Sequence, residues 1–236
     1  MMTDYPRIYL FTAVISGLLF LLFVFLFYPP SSLRLRIFPS LRRGSVARVV
    51  LERLTGFLFF GVIPFLILFM KLPAFHAADL GIVLPPRAWF LPSVVFWILI
   101  VVLVSRVAGT PASLAQYPQL RDVTWSPPLV LLNALTWALY LAGYEFLFRG
   151  LLIFPFLPHL GVGGTMALNL VLYALAHLHK GWREVGGSFV FGALLVLATI
   201  FSGSLLISFF SHLTLALSNG FFAARATKKT GSHGRQ

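Results

Sequence analysis

The chain has 236 residues, of which 59% are hydrophobic and 10% charged, with a formal net charge of +12 and a mean hydropathy of +0.92. A water-soluble globule of this length has no means of hiding that much apolar surface. Composition therefore excludes a soluble fold and predicts an integral membrane protein, all-α because a helix satisfies its own backbone groups in lipid. No cysteine is present, which excludes thiolate nucleophiles, thiolate metal sites and disulfides and leaves carboxylate, imidazole and hydroxyl chemistry.

The first uncharged run, 8–28, is long enough to cross a bilayer and longer than the apolar region of a cleaved signal, so it reads as a retained span. Pro29-Pro30 ends it, and a basic connector, 29–53, follows. This connector holds Arg34, Arg36, Arg42, Arg43, Arg48 and Arg53 against one acid, Glu52. Lys and Arg concentrate on cytoplasmic loops, which puts the connector inside and the amino terminus outside. The arginine run is read as a topology signal with attraction to anionic lipid rather than as a nucleic-acid site.

Six further spans are predicted at 54–70, 89–104, 129–153, 162–178, 185–201 and 204–224, a polytopic bundle of seven. Alternation then collects Arg106, Arg121, Lys180, Arg183 and the tail cations Arg225, Lys228, Lys229 and Arg235 inside, with only Arg7, Lys71 and Arg87 outside. The Gly-interrupted run 186–201 leaves two alternatives, a full span or a re-entrant segment. By composition, residues 1–104 are amino-terminal spans made for packing and lipid contact, 105–128 a polar connector, 129–224 the chemistry-bearing core and 225–236 a basic cytoplasmic tail. From Thr227 onward the tail is short and polar, and is expected to be disordered.

Within the core, Glu145 and Arg149 stand at i and i+4 inside an apolar segment, where each is expensive to hold alone, so they are expected on one face as an ion pair. Asn169, Tyr173 and His177 make one stripe of the next span, and Ser208, His212, Ala216 and Asn219 make another on the last. Counted along the spans, Glu145 and His212 fall at roughly 12 Å depth and His177 at roughly 20 Å, so the three should converge on one hydrated pocket. The plainer readings are an interfacial role for His177, packing through Ser208 for His212 and a registry-fixing pair for Glu145 with Arg149. Trp125, Trp137, Tyr140 and Tyr144 read as packing aromatics, and His76, His159 and His233 carry no functional weight.

The order Glu145-Phe-Leu-Phe-Arg149-Gly150, then Tyr173-x-x-x-His177, then His212 resembles the CAAX prenyl protease and bacteriocin-processing (CPBP, or Abi) family of intramembrane endopeptidases, over roughly 129–222. The resemblance implies a helical membrane core in which a glutamate and a histidine activate water while a second histidine and an asparagine steady the oxyanion. It also implies work on prenylated carboxyl-terminal peptides, peptide processing, self-immunity or scaffolding. Three positions depart from the pattern. Tyr144 occupies the place of the first of two adjacent glutamates, Tyr173 that of a Phe, and Ala216 that of the Asn or Asp four residues after the last His, with Asn219 three residues beyond.

The function expected is thus an endopeptidase with Glu145, His177 and His212 catalytic and Arg149, Asn219, Tyr144 and Tyr173 supporting. Its alternative is a catalytically inactive relative acting as scaffold, immunity or peptide-binding protein. No cofactor is expected, and a metal-free site ranks above zinc because the chain has no His-Glu-x-x-His helix. Expected partners are a peptide or membrane-protein substrate and the bilayer, not nucleic acid, in a bacterial or archaeal plasma membrane.

Overall fold

A computed structural model describes residues 5–29, 44–121, 123–178 and 181–233. Helix α1 spans Tyr5–Phe27, α2 Val46–Phe57, α3 Ile63–Lys71, α4 Phe90–Val107 and α5 Pro111–Gln116. After these come α6 Pro127–Glu145, α7 Leu157–Ala176, α8 Trp182–Ser202 and α9 Leu206–His233. A π-helical turn, Leu58–Val62, fuses α2 to α3, and a second, Phe146–Leu151, continues α6. Seven of the resulting rods are long and apolar enough to cross a membrane, matching the seven spans read from sequence. The protein is an all-α integral membrane protein, and 186–201 is part of a full-length helix rather than a re-entrant segment.

Boundaries differ most from the sequence reading at two places. The second span begins eight residues early, at Val46, where the Ser45 side chain accepts the Arg48 backbone N–H at 3.4 Å. Charge alone assigns this stretch to the connector; Arg34, Arg36, Arg42 and Arg43 lie outside the described residues. At the other end α9 runs to His233 instead of fraying at Thr227. Extending a packed helix costs far less than nucleating one, and the Thr227 hydroxyl donates to the Ala223 and Ala224 carbonyls at 3.2 and 3.0 Å. Arg235 lies outside the described residues.

Helix contacts follow two rules of packing in lipid. Small residues bring backbones together: a Cβ on Gly61 would stand 2.9 Å from the Gly143 Cα, so the first π turn lies directly against α6. Hydroxyls and amides join helices elsewhere. Thr199 on α8 bonds Ser208 on α9 at 2.7 Å, and Trp97 on α4 donates its indole N–H to Ser211 at 2.9 Å. Ser208 also donates to the Leu195 carbonyl at 3.0 Å, so it does not serve His212 as the sequence reading allowed. The interior is unusually aromatic, with Phe23 and Phe60 at 5.0 Å and Phe60 and Tyr144 at 6.3 Å between ring centroids.

Arg53, read from sequence as a loop cation, is 3% exposed. Its Nη1 donates to the Asn133 carbonyl at 3.1 Å, the Asn133 side-chain oxygen at 3.0 Å and the Thr136 hydroxyl at 2.8 Å. Nη2 reaches the Gln119 side-chain oxygen at 3.0 Å, and the guanidinium lies 4.2 Å from the Trp137 ring centre. One buried cation therefore ties α2, α6 and the polar connector together, and the hydrogen bonds of its two terminal nitrogens make its burial tolerable, while Nε has no partner among the described residues. Replacing Arg53 by Leu orphans those oxygens and should destabilise the protein by about 2–4 kcal/mol. Thermal unfolding in detergent, followed by tryptophan fluorescence, would read this as a lowered midpoint; an unchanged midpoint would show that the network contributes nothing.

Candidate active site

Glu145 is the last residue of α6, and the chain then widens into the π turn Phe146–Leu151. Such turns add a residue to the ring closed by each hydrogen bond and recur at functional sites. Here the widening brings Arg149 back over Glu145, with Nε 3.4 Å from Oε2 and both side chains wholly buried. The i, i+4 ion pair expected from sequence is present. Oε1 of Glu145 meets Nδ1 of His212 on α9 at 2.6 Å, so a carboxylate is shared between a guanidinium and an imidazole from another helix. The Asn169 side chain donates to the Phe148 carbonyl and so pins the π turn to α7.

The Arg149 guanidinium stacks on Tyr173 of α7, 4.3 Å from the ring centre, and its two terminal nitrogens have no hydrogen-bond partner among the described residues. In a dry interior the ring face takes the place of oxygen ligands. Tyr173 is itself held on several sides. Its ring centroid lies 5.3 Å from Phe148 and 4.7 Å from His177, and Gly192 of α8 leaves it room, since a Cβ there would come within 2.9 Å of the Tyr173 ring. The Tyr173 carbonyl also takes Nδ1 of His177 at 2.8 Å, fixing that imidazole at the end of α7.

These side chains border a cavity of about 800 Å³ between α1, α5, α6, α7, α8 and α9. His177, His212, Tyr144, Tyr173 and Asn219 line it. Tyr144 stands between the two imidazoles, at 6.4 Å from His177 and 5.7 Å from His212 between ring centroids. Glu145 and Arg149 do not line the cavity; they lie one side chain back, with His212 between the carboxylate and the open space. With Nδ1 engaged by Glu145, it is the opposite nitrogen, Nε2, that His212 has left to offer. Asn219 lines the wall, but its amide nitrogen donates to the Leu215 carbonyl of its own helix at 3.0 Å.

Convergence of two histidines and a carboxylate is thus visible, with Glu145 serving His212 rather than facing the cavity directly. Sequence reasoning left out several wall residues. Phe20 and Phe23 of α1 line the cavity, so the first span does more than pack, and so do Gln116, Tyr117 and Glu184 from the cytoplasm-assigned segments. Burial and the Glu184 charge raise the Tyr117 phenol above its ordinary pKa. Only the Glu184 carboxylate, a lone acid beside a predicted span end, carries a signal in the sequence. Among the described residues, no three His, Asp or Glu side chains gather at metal-ligand spacing.

Residues 123–218 match the family model described as type II CAAX prenyl endopeptidase Rce1-like. The matched stretch contains Tyr144, Glu145, Arg149, Tyr173, His177 and His212, and stops one residue short of Asn219. The family resemblance carried by those motifs is therefore supported by an independent comparison. No curated protein and no solved structure matches the chain.

Removing either charge of the buried pair leaves the other poorly compensated. Glu145→Gln and Arg149→Met should each destabilise by about 3–5 kcal/mol. The double variant should lose less than the sum, with a coupling of at least about 1 kcal/mol in a double-mutant cycle read by chemical denaturation in detergent. Strict additivity would mean that the pair is not energetically coupled.

Proposed function

We propose that this chain, whose second half belongs with the Rce1-like type II CAAX prenyl endopeptidases, is an intramembrane endopeptidase that hydrolyses a peptide bond in the cavity between His177 and His212. The observation that carries the reading is the Glu145–His212 contact of 2.6 Å at the wall of an 800 Å³ cavity that His177 also lines. A carboxylate on Nδ1 holds an imidazole in one orientation, as in catalytic triads and around metals. Fixed in this way and protonated, His212 presents Nε2–H to the oxyanion that forms when water adds to the carbonyl carbon. Asn219 joins it once its amide leaves the Leu215 carbonyl.

Water activation falls to the His177 side of the cavity, with the Tyr144 hydroxyl orienting the nucleophile. Glu145 contributes through His212, and Arg149 with Tyr173 keeps Glu145 in place. The reaction in this reading draws on side chains alone, without a metal. Its substrate is a peptide with a prenylated cysteine near its carboxyl terminus, the class that the family name states. The second reading, a non-cleaving peptide-binding relative, draws on Tyr144 and Ala216 at two positions where the family pattern has a glutamate and an amide or acid.

The amino terminus lies outside and α9 ends in the cytoplasm, by the Lys and Arg asymmetry. Seven alternating spans then put α5, Tyr117 and the turn before α8 on the cytoplasmic side, and all three border the cavity. Substrate therefore enters from the cytoplasm. A single cysteine placed at the exposed Ala112 of α5 in this cysteine-free chain should react with a membrane-impermeant maleimide in inverted vesicles and not in intact cells. The opposite pattern would reverse the topology.

Activity is tested with purified protein in liposomes and a fluorophore–quencher peptide bearing the prenylated cysteine. Wild type should cut it; His177→Ala and His212→Ala should each lower kcat by at least about 100-fold with the unfolding midpoint largely retained. Binding of the peptide without cleavage would favour the second reading, and full activity in either histidine variant would remove that residue from the mechanism.

A further inference from the structure

Adding water to a peptide carbonyl requires a group that takes a proton from it, and a carboxylate or imidazole in hydrogen-bond reach is the usual one. At the family's first glutamate position stands Tyr144, whose phenol is no base at neutral pH. Glu145 is wholly buried, is engaged by His212 and Arg149, and does not border the cavity. The two motif positions therefore leave the cavity without a carboxylate of their own.

Among the residues lining that cavity, one is acidic, Glu184. It sits in the first turn of α8, where its backbone N–H donates to the Gly181 carbonyl at 3.1 Å and where the helix dipole favours an anion. His177 ends α7 and Glu184 begins α8, on either side of the reversal at Gly181, whose φ of +98° suits a residue without a Cβ. Both side chains thus belong to one end of the cavity. Glu184 is half-buried rather than solvated on a free surface, and among the described residues no cation is paired with it. Tyr117 and Gln116 border the same space, so polar groups converge there from α5, α7 and α8.

We propose that Glu184 is the carboxylate that accepts the proton of the attacking water, standing in for the glutamate that Tyr144 replaces. This rests on the endopeptidase reading. The water oxygen bonds to the carbonyl carbon as its O–H bond breaks, the proton passes to a Glu184 oxygen, and the carbonyl π pair moves onto the oxygen facing His212. On collapse that pair re-forms the carbonyl, the C–N bond breaks, and the proton held by Glu184 goes through His177 to the leaving nitrogen. One water and one peptide bond give one carboxylic acid and one amine.

The test uses the full chain in liposomes with the same prenylated peptide. Glu184→Gln should lower kcat by at least about 100-fold while peptide affinity and the unfolding midpoint stay within error. Adding Tyr144→Glu to Glu184→Gln should restore at least a tenth of the wild-type rate. A wild type that cuts, joined to a Glu184→Gln variant within about threefold of it, overturns this assignment and leaves the endopeptidase reading standing. If wild type cuts nothing, the endopeptidase reading and this base role fail together. Labelling of Glu184 by a water-soluble carbodiimide with glycine methyl ester, blocked by the peptide, separately tests its place in the cavity; absent or unblocked labelling overturns the assignment in either case.

Discussion

The carboxylate of Glu145 is the constraint on which the second half of the protein depends. It is wholly buried, and its two oxygens face different cations or potential cations: Arg149 one turn on in the same chain segment, and His212 on α9. A lone carboxylate at that depth would not stay ionised or would not stay buried. Satisfying it fixes the π turn after α6, the rotation of α9 and, through the stacked Arg149, the ring of Tyr173 on α7. Three helices are set relative to one another by one charged group.

Cavity shape follows from the same arrangement. Tyr173 is pinned by Arg149 on one side and given space by Gly192 on another, and its carbonyl orients His177. His212 is oriented by Glu145 from behind. Both imidazoles therefore meet the open space with their Nδ1 atoms already engaged, and Tyr144 fills the gap between their rings. Both imidazoles are thus preorganised, because the orienting bonds are part of the folded bundle. The first half supplies a second such anchor in Arg53, a buried cation whose two terminal nitrogens tie α2 to α6 and to the polar connector by hydrogen bonds.

Much of this was legible from the order of residues, and the reasons are specific. Long apolar runs and the distribution of Lys and Arg gave seven spans, because bilayer thickness sets length and charge sets ends. Spacing gave the Glu145–Arg149 pair, and the cost of intramembrane charge singled out both with the two histidines. What spacing does not carry is which helix turns toward which. Spacing alone has Glu145 facing the pocket beside His177, whereas the π turn and the position of α9 give it to His212. Arg53 looked like a loop cation because its partners, Asn133, Thr136 and Gln119, are far along the chain. The roles of Phe20 and Tyr117 at the cavity wall are hidden for the same reason: they come from segments that meet only in the folded bundle.

The central claim is that Glu145 holds His212 by Nδ1 and leaves Nε2 to the cavity. Nitrogen-15 NMR of histidine-labelled protein in detergent, with the His212 signals assigned by loss in His212→Gln, tests it without any substrate. The account predicts a protonated, strongly hydrogen-bonded Nδ1 whose shift moves in Glu145→Gln, and an Nε2 signal broadened by a water-soluble paramagnetic agent. A His212 carrying its proton on Nε2 alone, unaffected by Glu145→Gln and shielded from the agent, would contradict it.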